Sequence, residues 1–380
     1  MKAYRFLFIL LGILIALPFA GRLNWLIKDS KPINILIINK SVQKSAENEV
    51  KTLNWTLNCE KFVNSDKSVY DYTYQYYGYF PDAPSENRKI KSFSLDNISE
   101  ICEKNDVLFF VDNFGVTSGM AENKSPKNKS YGGFNNTDYI LLKDMMDLKK
   151  LVIAEYNFIA APTEELVRYN TEQLLDIYSL GWIGKYFENL SKEHIANSIS
   201  TSWFDLYKQN YSTDWAFSGP GIILLNSSQN RIIILPNDKY MNAKYPEVVT
   251  NQEIATRFNL PPKASYTGWF DVTYQGSNKV VSHFNLNLND TGIELLKKNG
   301  IESEFPAVIE SQNNKFYYMA GDFSKVHVFM PFARLGFLSE LFETLNDGKT
   351  QNPDKFFLVY YNNLLSSILN NYYSEISNKK

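Results

Sequence analysis

The chain has 380 residues, a formal net charge of −2 and an aromatic fraction of 15%. This length is enough to bury a large core, as two domains or as one α/β domain with insertions. The composition excludes a disordered chain, and 39 basic against 41 acidic residues give no electrostatic reason to expect nucleic acid as a partner. Two cysteines, Cys59 and Cys102, lack histidines at ligand spacing and are not a zinc site. The two residues are compatible with a single disulfide or with two buried thiols.

The chain begins with an apolar segment, residues 6–21, that follows two basic residues. This segment is short for a membrane-spanning helix, which needs about 20 residues, but residues 23–27 can extend it into the membrane interface. Cleavage near Ala20 would place Pro18 or Phe19 at the −3 position, where a small residue is needed. We therefore predict an uncleaved transmembrane signal anchor in a bacterial cytoplasmic membrane, with the body on the periplasmic side. A cleaved signal segment is the alternative.

Residues 33–39, INILIIN, form a continuous apolar run that predicts a first strand buried on both faces. A helix is expected from about Ser45 to Asn58. Six tyrosines then crowd between Tyr70 and Tyr79. Alternating tyrosines suit one face of a strand or the wall of a ligand groove, but we favour a loop packed over the sheet edge. A short strand at 90–95 and a short helix complete this part.

Residues 107–163 predict a βαβ unit, in which an apolar run, a capped amphipathic helix and a second apolar run follow one another. The strands of such a unit are parallel, and ligands bind at the edge formed by their carboxyl ends. Asp112 and Asn113 follow the first strand, and Glu155 and Asn157 follow the second. Any functional site is therefore expected among these residues.

The second half of the chain predicts a mixture of helices and hairpins. A helix over 163–176 and a strand over 181–190 come first, followed by a short helix from about Thr201 and a hairpin over 221–236. Prolines end the next helix at Pro261. Two further hairpins are expected over 268–288 and 306–324, and two helices, over 332–345 and 354–373, close the chain.

The order of these elements resembles the class I glutamine amidotransferase-like superfamily, in particular its branch related to trehalose-utilisation proteins. The matching segments are INILIIN, VLFFVDN with its following YGG loop, LVIAEYN and FYYMAGD. The resemblance implies an α/β fold: an open, mainly parallel doubly wound sheet of the flavodoxin-like type, with helices on both faces and added β-hairpins. It covers residues 31–373 with an insertion at about 180–267, preceded by the 1–30 anchor or signal segment and followed by a tail at 374–380.

The chain departs from this superfamily at the catalytic positions. Catalytic members carry a Gly-x-Cys-x-Gly elbow after the strand that corresponds to LVIAE, whereas this chain has Ala154-Glu155-Tyr156-Asn157-Phe158. Where the family places a catalytic histidine, Asp322 follows Gly321. A strand-to-helix elbow needs small neighbours for its nucleophile to stand clear of the backbone, so a Cys–His amidotransferase mechanism is excluded.

Three carboxylates are candidate catalytic residues: Glu155, Asp112 and Asp322. Each also has an ordinary interpretation, as a carboxylate satisfied by backbone donors or as part of a turn. The candidate ligand-binding residues are Asn39, Asn113, Tyr131, Gly132, Gly133 and Asn157. Of these, the YGG loop can present backbone N–H groups to an anion, although a Gly-Gly pair before a helix is more often loop geometry. The histidines, His194, His283 and His327, lie far apart, and we predict no metal and no cofactor.

We predict a membrane-anchored extracytoplasmic protein whose domain has lost the nucleophile and serves in ligand binding or envelope assembly. Its expected partners are a small-molecule or glycan ligand, an envelope protein, and the membrane through the N-terminal segment. The alternative is a cysteine-independent hydrolase that acts on carbohydrate or cell-envelope substrates through its carboxylates. A second alternative is an accessory subunit of an envelope transport complex, which predicts an exposed apolar patch near the anchor.

Overall fold

A computed structural model of the chain describes residues 2–41, 49–80, 89–117, 129–159, 162–196, 198–326, 328–336 and 355–378. The α-helices are α1 (Lys2–Ile27), α2 (Val50–Cys59), α3 (Ile98–Lys104), α4 (Asn136–Asp147), α5 (Glu165–Leu175), α6 (Lys192–Ile195), α7 (Ser202–Tyr211), α8 (Asn237–Tyr240), α9 (Gln252–Phe258), α10 (Asp290–Lys297) and α11 (Asn362–Ser377). Short 3₁₀ turns lie at Leu95–Asn97 and Met330–Arg334, and a π-helical turn, Phe357–Tyr361, leads into α11. The predicted helix over 332–345 lies mostly outside the described residues.

The strands belong to two large sheets and two small ones. They are β1 (Lys31–Pro32), β2 (Ile35–Asn39), β3 (Phe62–Val63), β4 (Tyr77–Tyr79), β5 (Ile90–Lys91), β6 (Val107–Asp112), β7 (Val116–Thr117), β8 (Lys129–Tyr131), β9 (Leu151–Ala154), β10 (Tyr178–Phe187), β11 (Gly221–Asn226), β12 (Arg231–Pro236), β13 (Glu247–Val249), β14 (Lys263–Ser265), β15 (Trp269–Tyr274), β16 (Lys279–Asn285), β17 (Glu304–Glu310) and β18 (Phe316–Met319). Within the described ranges, β1 pairs with β3 and β7 with β8 as separate two-stranded units.

The central sheet has ten strands in the order β14-β13-β16-β17-β18-β9-β6-β2-β4-β5. From β18 to β4 the neighbours run parallel, whereas β14 to β18 and the β4–β5 edge are antiparallel. The prediction of an open, mainly parallel doubly wound, flavodoxin-like sheet is therefore wrong, because half of this sheet is antiparallel. The physical reason is connection length: only a short turn joins β17 to β18, whereas a parallel neighbour needs a long crossover.

A second sheet of four strands, β12-β11-β10-β15, is antiparallel throughout. The predicted hairpin over 221–236 is its β11–β12 pair. The predicted hairpin over 268–288 is wrong, because β15 pairs with β10 in this sheet and β16 pairs with β13 and β17 in the central one. The turn between β15 and β16 contains Gly276 at φ +56°. Asp176 Oδ2 accepts hydrogen bonds from the N–H and hydroxyl of Ser277 in this turn. The chain thus crosses from one sheet to the other at the end of α5.

The parallel strands of the central sheet are continuously apolar because they lie inside the core. Every residue of β2 and β9 is buried, as is β6 up to Val111, so these strands are covered on both faces. The buried faces of α4 and α11 pack into the same core. At one edge, β4 pairs with β2, so part of the tyrosine-rich segment is a strand and not a loop. Tyr70 is buried, and its hydroxyl donates to the Ile33 carbonyl at 2.6 Å.

The end of α1 is attached to the rest of the protein through Trp25. This side chain is buried, and its Nε1 donates to the Asn58 carbonyl at 2.6 Å. Among the residues whose side chains the structure describes, no helix is long and apolar enough to cross a membrane. The predicted transmembrane signal anchor, and with it the location in a bacterial cytoplasmic membrane with a periplasmic body, is therefore wrong. The residues expected to extend the span include Trp25, which packs against α2 instead.

The two cysteines do not form a disulfide. Cys59 and Cys102 are both free thiols, and Cys102 is buried on α3. Burial raises the pKa of the Cys102 thiol to about 11 and also raises that of Cys59. Both therefore stay protonated at neutral pH and act as small apolar side chains.

Candidate functional site

The carboxyl ends of β2, β6, β9 and β18 meet at one edge of the central sheet, because these strands are parallel. Asn39 and Asp112 end the first two strands, and Glu155 follows the third. Asp322 lies just beyond β18, where its backbone N–H donates to the Trp269 carbonyl at 2.9 Å. The three carboxylates predicted from the sequence are thus at the expected edge.

Glu155 is the most buried of the predicted site residues that carry a charge, with 1% of its surface exposed. Its Oε1 accepts a hydrogen bond from the Tyr361 hydroxyl, whereas Oε2 makes no well-directed hydrogen bond to a described residue. Burial raises the pKa of Glu155 to about 8, and the carboxylates of Asp322 and Glu49 add to this rise. The hydroxyls of Tyr361 and Ser324 oppose the rise without cancelling it. Glu155 is therefore mostly protonated at neutral pH.

The turn after Glu155 takes the place of the catalytic elbow expected from the superfamily. The Phe158 N–H donates to the Glu155 carbonyl at 3.3 Å, and Asn157 has φ +67°. Asparagine tolerates this left-handed conformation better than other residues with a side chain. The turn directs the backbone N–H of Asn157 to the carboxylate of Asp271. Asn157 therefore contributes to the site through its backbone.

Among the residues that the structure describes, five carboxylates gather at this edge, and we call them the carboxylate cluster: Glu49, Asp112, Glu155, Asp271 and Asp322. Burial and the charges of Asp112 and Asp322 raise the pKa of Glu49 to about 8 and that of Asp271 to about 7. Burial, together with Asp112, raises the pKa of Asp322 to about 6. Each of these groups is thus close enough to others of the same sign to resist ionisation.

The oxygen atoms of the carboxylate cluster differ in how well they are bonded. Asp271 is buried, and its Oδ2 accepts from the Tyr318 hydroxyl at 2.6 Å. Asp112 Oδ1 accepts from the Phe114 N–H at 2.6 Å. Glu49 Oε2 is buried and has no hydrogen-bond partner among the described residues, as is the case for Glu155 Oε2. The cluster therefore includes buried carboxyl oxygens that are not hydrogen-bonded to any described residue.

Two lysines lie on the outer side of the carboxylate cluster. Lys325 Nζ is 3.9 Å from Asp322 Oδ2, and 65% of its side chain is exposed. Lys185 is half-buried, and burial lowers its pKa, as does the neighbouring Lys325. The charge of Asp322 opposes this effect. Asp322 is thus the member of the carboxylate cluster that lies next to these two ammonium groups.

The YGG loop is packed and bonded within the protein. The Gly133 N–H donates to the Asn113 carbonyl at 2.7 Å, and the Gly133 carbonyl accepts from Lys40 Nζ at 2.9 Å. Gly132 lies so close to Gly115 that a Cβ atom on it would be 2.4 Å from the Gly115 Cα. The ring of Tyr131 is 6.0 Å from Lys40 Nζ. The ordinary loop interpretation therefore fits better than an anion site at Tyr131, Gly132 and Gly133.

The remaining predicted residues have structural partners as well. The side-chain Nδ2 of Asn113 donates to the Phe158 carbonyl at 3.1 Å, whereas its Oδ1 has no partner among the described residues. Asn39 is fully buried, and its Oδ1 accepts from the Ser41 N–H at 3.1 Å. Next to Asn39, the buried Lys40 forms an ion pair with Asp138 at the start of α4. Burial raises the pKa of Asp138, and Lys40 opposes this rise.

Within the described ranges, no group of three or more potential ligand side chains can hold a metal ion. His194 is exposed and contacts Asn189 and Ser191, and burial lowers the pKa of His283. His327 lies outside the described residues. The chemistry of this edge therefore comes from carboxylates, phenol hydroxyls and lysines.

Sequence reasoning missed half of the site: Glu49, Asp271, Tyr361, Lys185 and Lys325. Asp271 had a usable signal, because a carboxylate inside the apolar strand WFDVTY is rarely buried without a purpose. The other four residues had none, since each comes from a segment far from β6 and β9 in the sequence.

No family model and no curated protein matches the chain. Among solved structures, the beta-galactosidase from Bacillus circulans sp. alkalophilus is similar at 10% sequence identity, with a TM-score of 0.32. The match covers 83% of this chain and 31% of that chain, so this protein spans less than a third of that enzyme. A similarity at this level carries no argument about fold or function. Membership of the glutamine amidotransferase-like superfamily stays a prediction.

Proposed function

We propose that this protein binds a cationic or hydroxyl-rich small molecule at the carboxylate cluster and does not transform it. The observation that carries the proposal is the set of mutually repelling carboxylates, in which the buried Oε2 atom of Glu49 has no hydrogen-bond partner among the described residues. Buried polar atoms are normally hydrogen-bonded, and orphaned ones are costly. A ligand that supplies ammonium or hydroxyl donors offsets that cost and relieves the repulsion.

Binding is favoured over catalysis because Glu155 is poorly placed to react. It is 1% exposed, and its Oε1 is engaged by Tyr361 from the π-helical turn before α11. A catalytic group must reach the substrate within hydrogen-bonding distance. The resemblance to amidotransferase-like proteins belongs to the same proposal, since Glu155 stands at the end of β9 where the catalytic members carry their cysteine elbow.

The carboxylate hydrolase is the second candidate, and the raised pKa values favour it. Glu155 and Glu49, each with a pKa near 8, hold a proton at neutral pH, as the general acid of glycoside hydrolysis must. This candidate predicts that an oligosaccharide is cleaved and that Glu155→Gln abolishes cleavage. A role in envelope assembly or transport is a further proposal, tested by isolating protein complexes from cells.

The binding proposal is tested by calorimetry with spermidine as the cationic probe and with neutral tetrasaccharides as the hydroxyl-rich probes. We expect at least one probe class to bind, and Glu49→Gln and Asp322→Asn to weaken that binding about tenfold or more, because Asp322→Asn removes a charged acceptor and Glu49→Gln replaces a carboxyl oxygen of the cluster by an amide nitrogen. The matched control is Glu302→Gln, since Glu302 is exposed and outside the cluster.

Unchanged affinity in both cluster variants contradicts the proposed site. Cleavage of a tetrasaccharide, detected by chromatography and abolished in Glu155→Gln, contradicts the absence of turnover and establishes the hydrolase instead.

A further inference from the structure

Two half-exposed tryptophans contact each other, and the backbone of one of them, Trp269, contacts Asp322 of the carboxylate cluster; we call Trp203 and Trp269 the aromatic platform. Trp269 begins β15 at the edge of the four-stranded sheet, and Trp203 comes from α7. Their ring centroids are 6.0 Å apart, with the planes at 82°. Neither indole is fully buried, unlike Trp25, Trp55 and Trp182. The platform is therefore the place where tryptophan reaches the surface next to the candidate site.

Polar groups surround one end of the aromatic platform. Lys185 is the cross-strand partner of Trp269, and its Nζ lies 5.3 Å from the centre of the Trp269 ring. The backbone of Trp269 is also joined to Asp322 of the carboxylate cluster, because the Trp269 carbonyl accepts from the Asp322 N–H at 2.9 Å. Lys325 Nζ is 3.9 Å from Asp322 Oδ2. A flat apolar surface, two ammonium groups and a carboxylate thus share one junction between the two sheets.

This combination discriminates among ligand classes. A sugar ring has an apolar face of C–H groups and a rim of hydroxyls, and it therefore needs both an aromatic surface and side chains that donate and accept hydrogen bonds. Lysines 185 and 325 supply donors, and Asp322 supplies acceptors. A simple polyamine would bind the carboxylates but gain nothing from the two lysines, which repel it. A nucleic acid is disfavoured, because the balanced charges of the chain give no electrostatic reason for it to bind.

We propose that the aromatic platform holds a sugar ring, so that the ligand of the carboxylate cluster is a neutral oligosaccharide. This inference rests on the proposed function and adds its ligand class. One ring stacks on Trp269, and its hydroxyls bond to Lys185, Lys325 and Asp322.

The test uses the full chain and three neutral probes: cellotetraose, maltotetraose and the tetramer of N-acetylglucosamine. Binding is followed by calorimetry and by tryptophan fluorescence in the wild type, Trp269→Ala, Trp269→Phe and Lys185→Met. We expect one probe to bind, Trp269→Ala to raise its Kd about tenfold or more, and Trp269→Phe to raise it less, because Phe keeps part of the flat surface. Lys185→Met keeps the apolar stem but removes the donor, so it also weakens binding.

The matched control is Trp215→Phe. Trp215 is another half-buried tryptophan that packs against the same group of buried apolar residues as Trp203 and Trp269, but its ring contacts Phe204 and Tyr207. Circular dichroism of each variant establishes that it is folded. A loss of affinity that is as large in Trp215→Phe as in Trp269→Ala overturns the inference, since it reports general damage.

The other outcomes separate this inference from the proposed function. If spermidine binds and Asp322→Asn weakens it while no tetrasaccharide binds, the sugar inference fails and the binding function stands. The same holds if a tetrasaccharide binds and Trp269→Ala leaves its Kd unchanged while Asp322→Asn raises it. If neither spermidine nor any tetrasaccharide binds, both fail.

Discussion

At the scale of single residues, the hydrogen bond between Tyr361 and Glu155 fixes the side chain that follows β9. The Tyr361 hydroxyl is the donor that engages the buried Glu155 carboxyl, and the two residues are 206 positions apart in the chain. Both side chains are buried, so water cannot replace either partner. The Tyr361 hydroxyl thus fixes the position of the Glu155 carboxyl, and burial disfavours the ionisation of that carboxyl.

Removing this hydroxyl is expected to destabilise the fold. Tyr361→Phe leaves Glu155 with one partner fewer in a buried site, and we expect a loss of about 2 kcal/mol in the free energy of unfolding, measured with urea at neutral pH. The control is Tyr274→Phe, because Tyr274 is 54% exposed. In a cycle with Glu155→Gln, additive effects of the two substitutions would show that the residues do not interact.

The residues of the site were predictable only where they follow strands that the sequence already revealed. Asp112 and Glu155 end long apolar runs, and parallel strands bring such ends together. Asp322 was predicted from a resemblance and also lies at this edge. Tyr361, Glu49 and Lys185 come from elements whose placement depends on tertiary packing, and no local pattern indicates which side chain will face a distant carboxylate.

At the scale of elements, the ion pair of Lys40 and Asp138 joins the end of β2 to the start of α4. Both side chains are nearly inaccessible, at 5% and 2% exposed. Asp138 also accepts from the Asn135 N–H at 2.8 Å, which completes the cap of α4. The same ammonium holds the Gly133 carbonyl, so one side chain fixes the strand, the loop and the helix.

Breaking this pair should be costly, because it leaves a buried charge without its partner. We expect Lys40→Met to lower the free energy of unfolding by about 3–5 kcal/mol and the double variant with Asp138→Asn to recover part of that loss. Chemical denaturation measures both. Lys143→Met is the control on the same helix, since the Lys143–Asp147 pair is exposed, and it should cause no measurable change. A similar loss in both lysine variants would show that the buried pair has no special role.

The positions of the strands in the chain were predicted better than which strands pair with each other. The strands β2, β6 and β9 read as uninterrupted apolar runs because both of their faces are buried. The hairpin of β11 and β12 was equally clear, since a short polar turn separates two apolar runs. In contrast, β15 and β16 have the same local pattern as a hairpin, but they belong to different sheets, and the turn between them is hydrogen-bonded to Asp176. Hydrophobic periodicity identifies a strand but not its neighbour.

At the scale of the whole molecule, the carboxylate cluster couples stability to pH. The folded pKa values of Glu49, Glu155, Asp271 and Asp322 lie at about 6 to about 8, above their ordinary values near 4. Each group binds its proton more tightly in the folded chain than in the unfolded chain. The stabilisation that this tighter proton binding gives to the folded chain is therefore complete below about pH 4, and it is lost as the pH rises through the folded pKa values.

The melting temperature should consequently fall between about pH 5 and about pH 8.5, with most of the fall complete at the upper limit. Differential scanning calorimetry across this range measures it. Glu155→Gln removes one titrating group and should make the fall smaller, whereas the exposed Glu302→Gln should leave it unchanged. A melting temperature that rises over this interval, or one with the same slope in both variants, would contradict the coupling.

The place of β18 in the central sheet has a consequence for how the protein is made. β18 is the strand that links the parallel half to the antiparallel half, and it pairs with β9, which is encoded more than 150 residues earlier. During translation, the parallel strands therefore emerge from the ribosome long before the strand that closes their exposed edge. An unpaired apolar edge of this kind readily associates with other chains. We therefore expect the nascent chain to be most prone to association before β18 has been made.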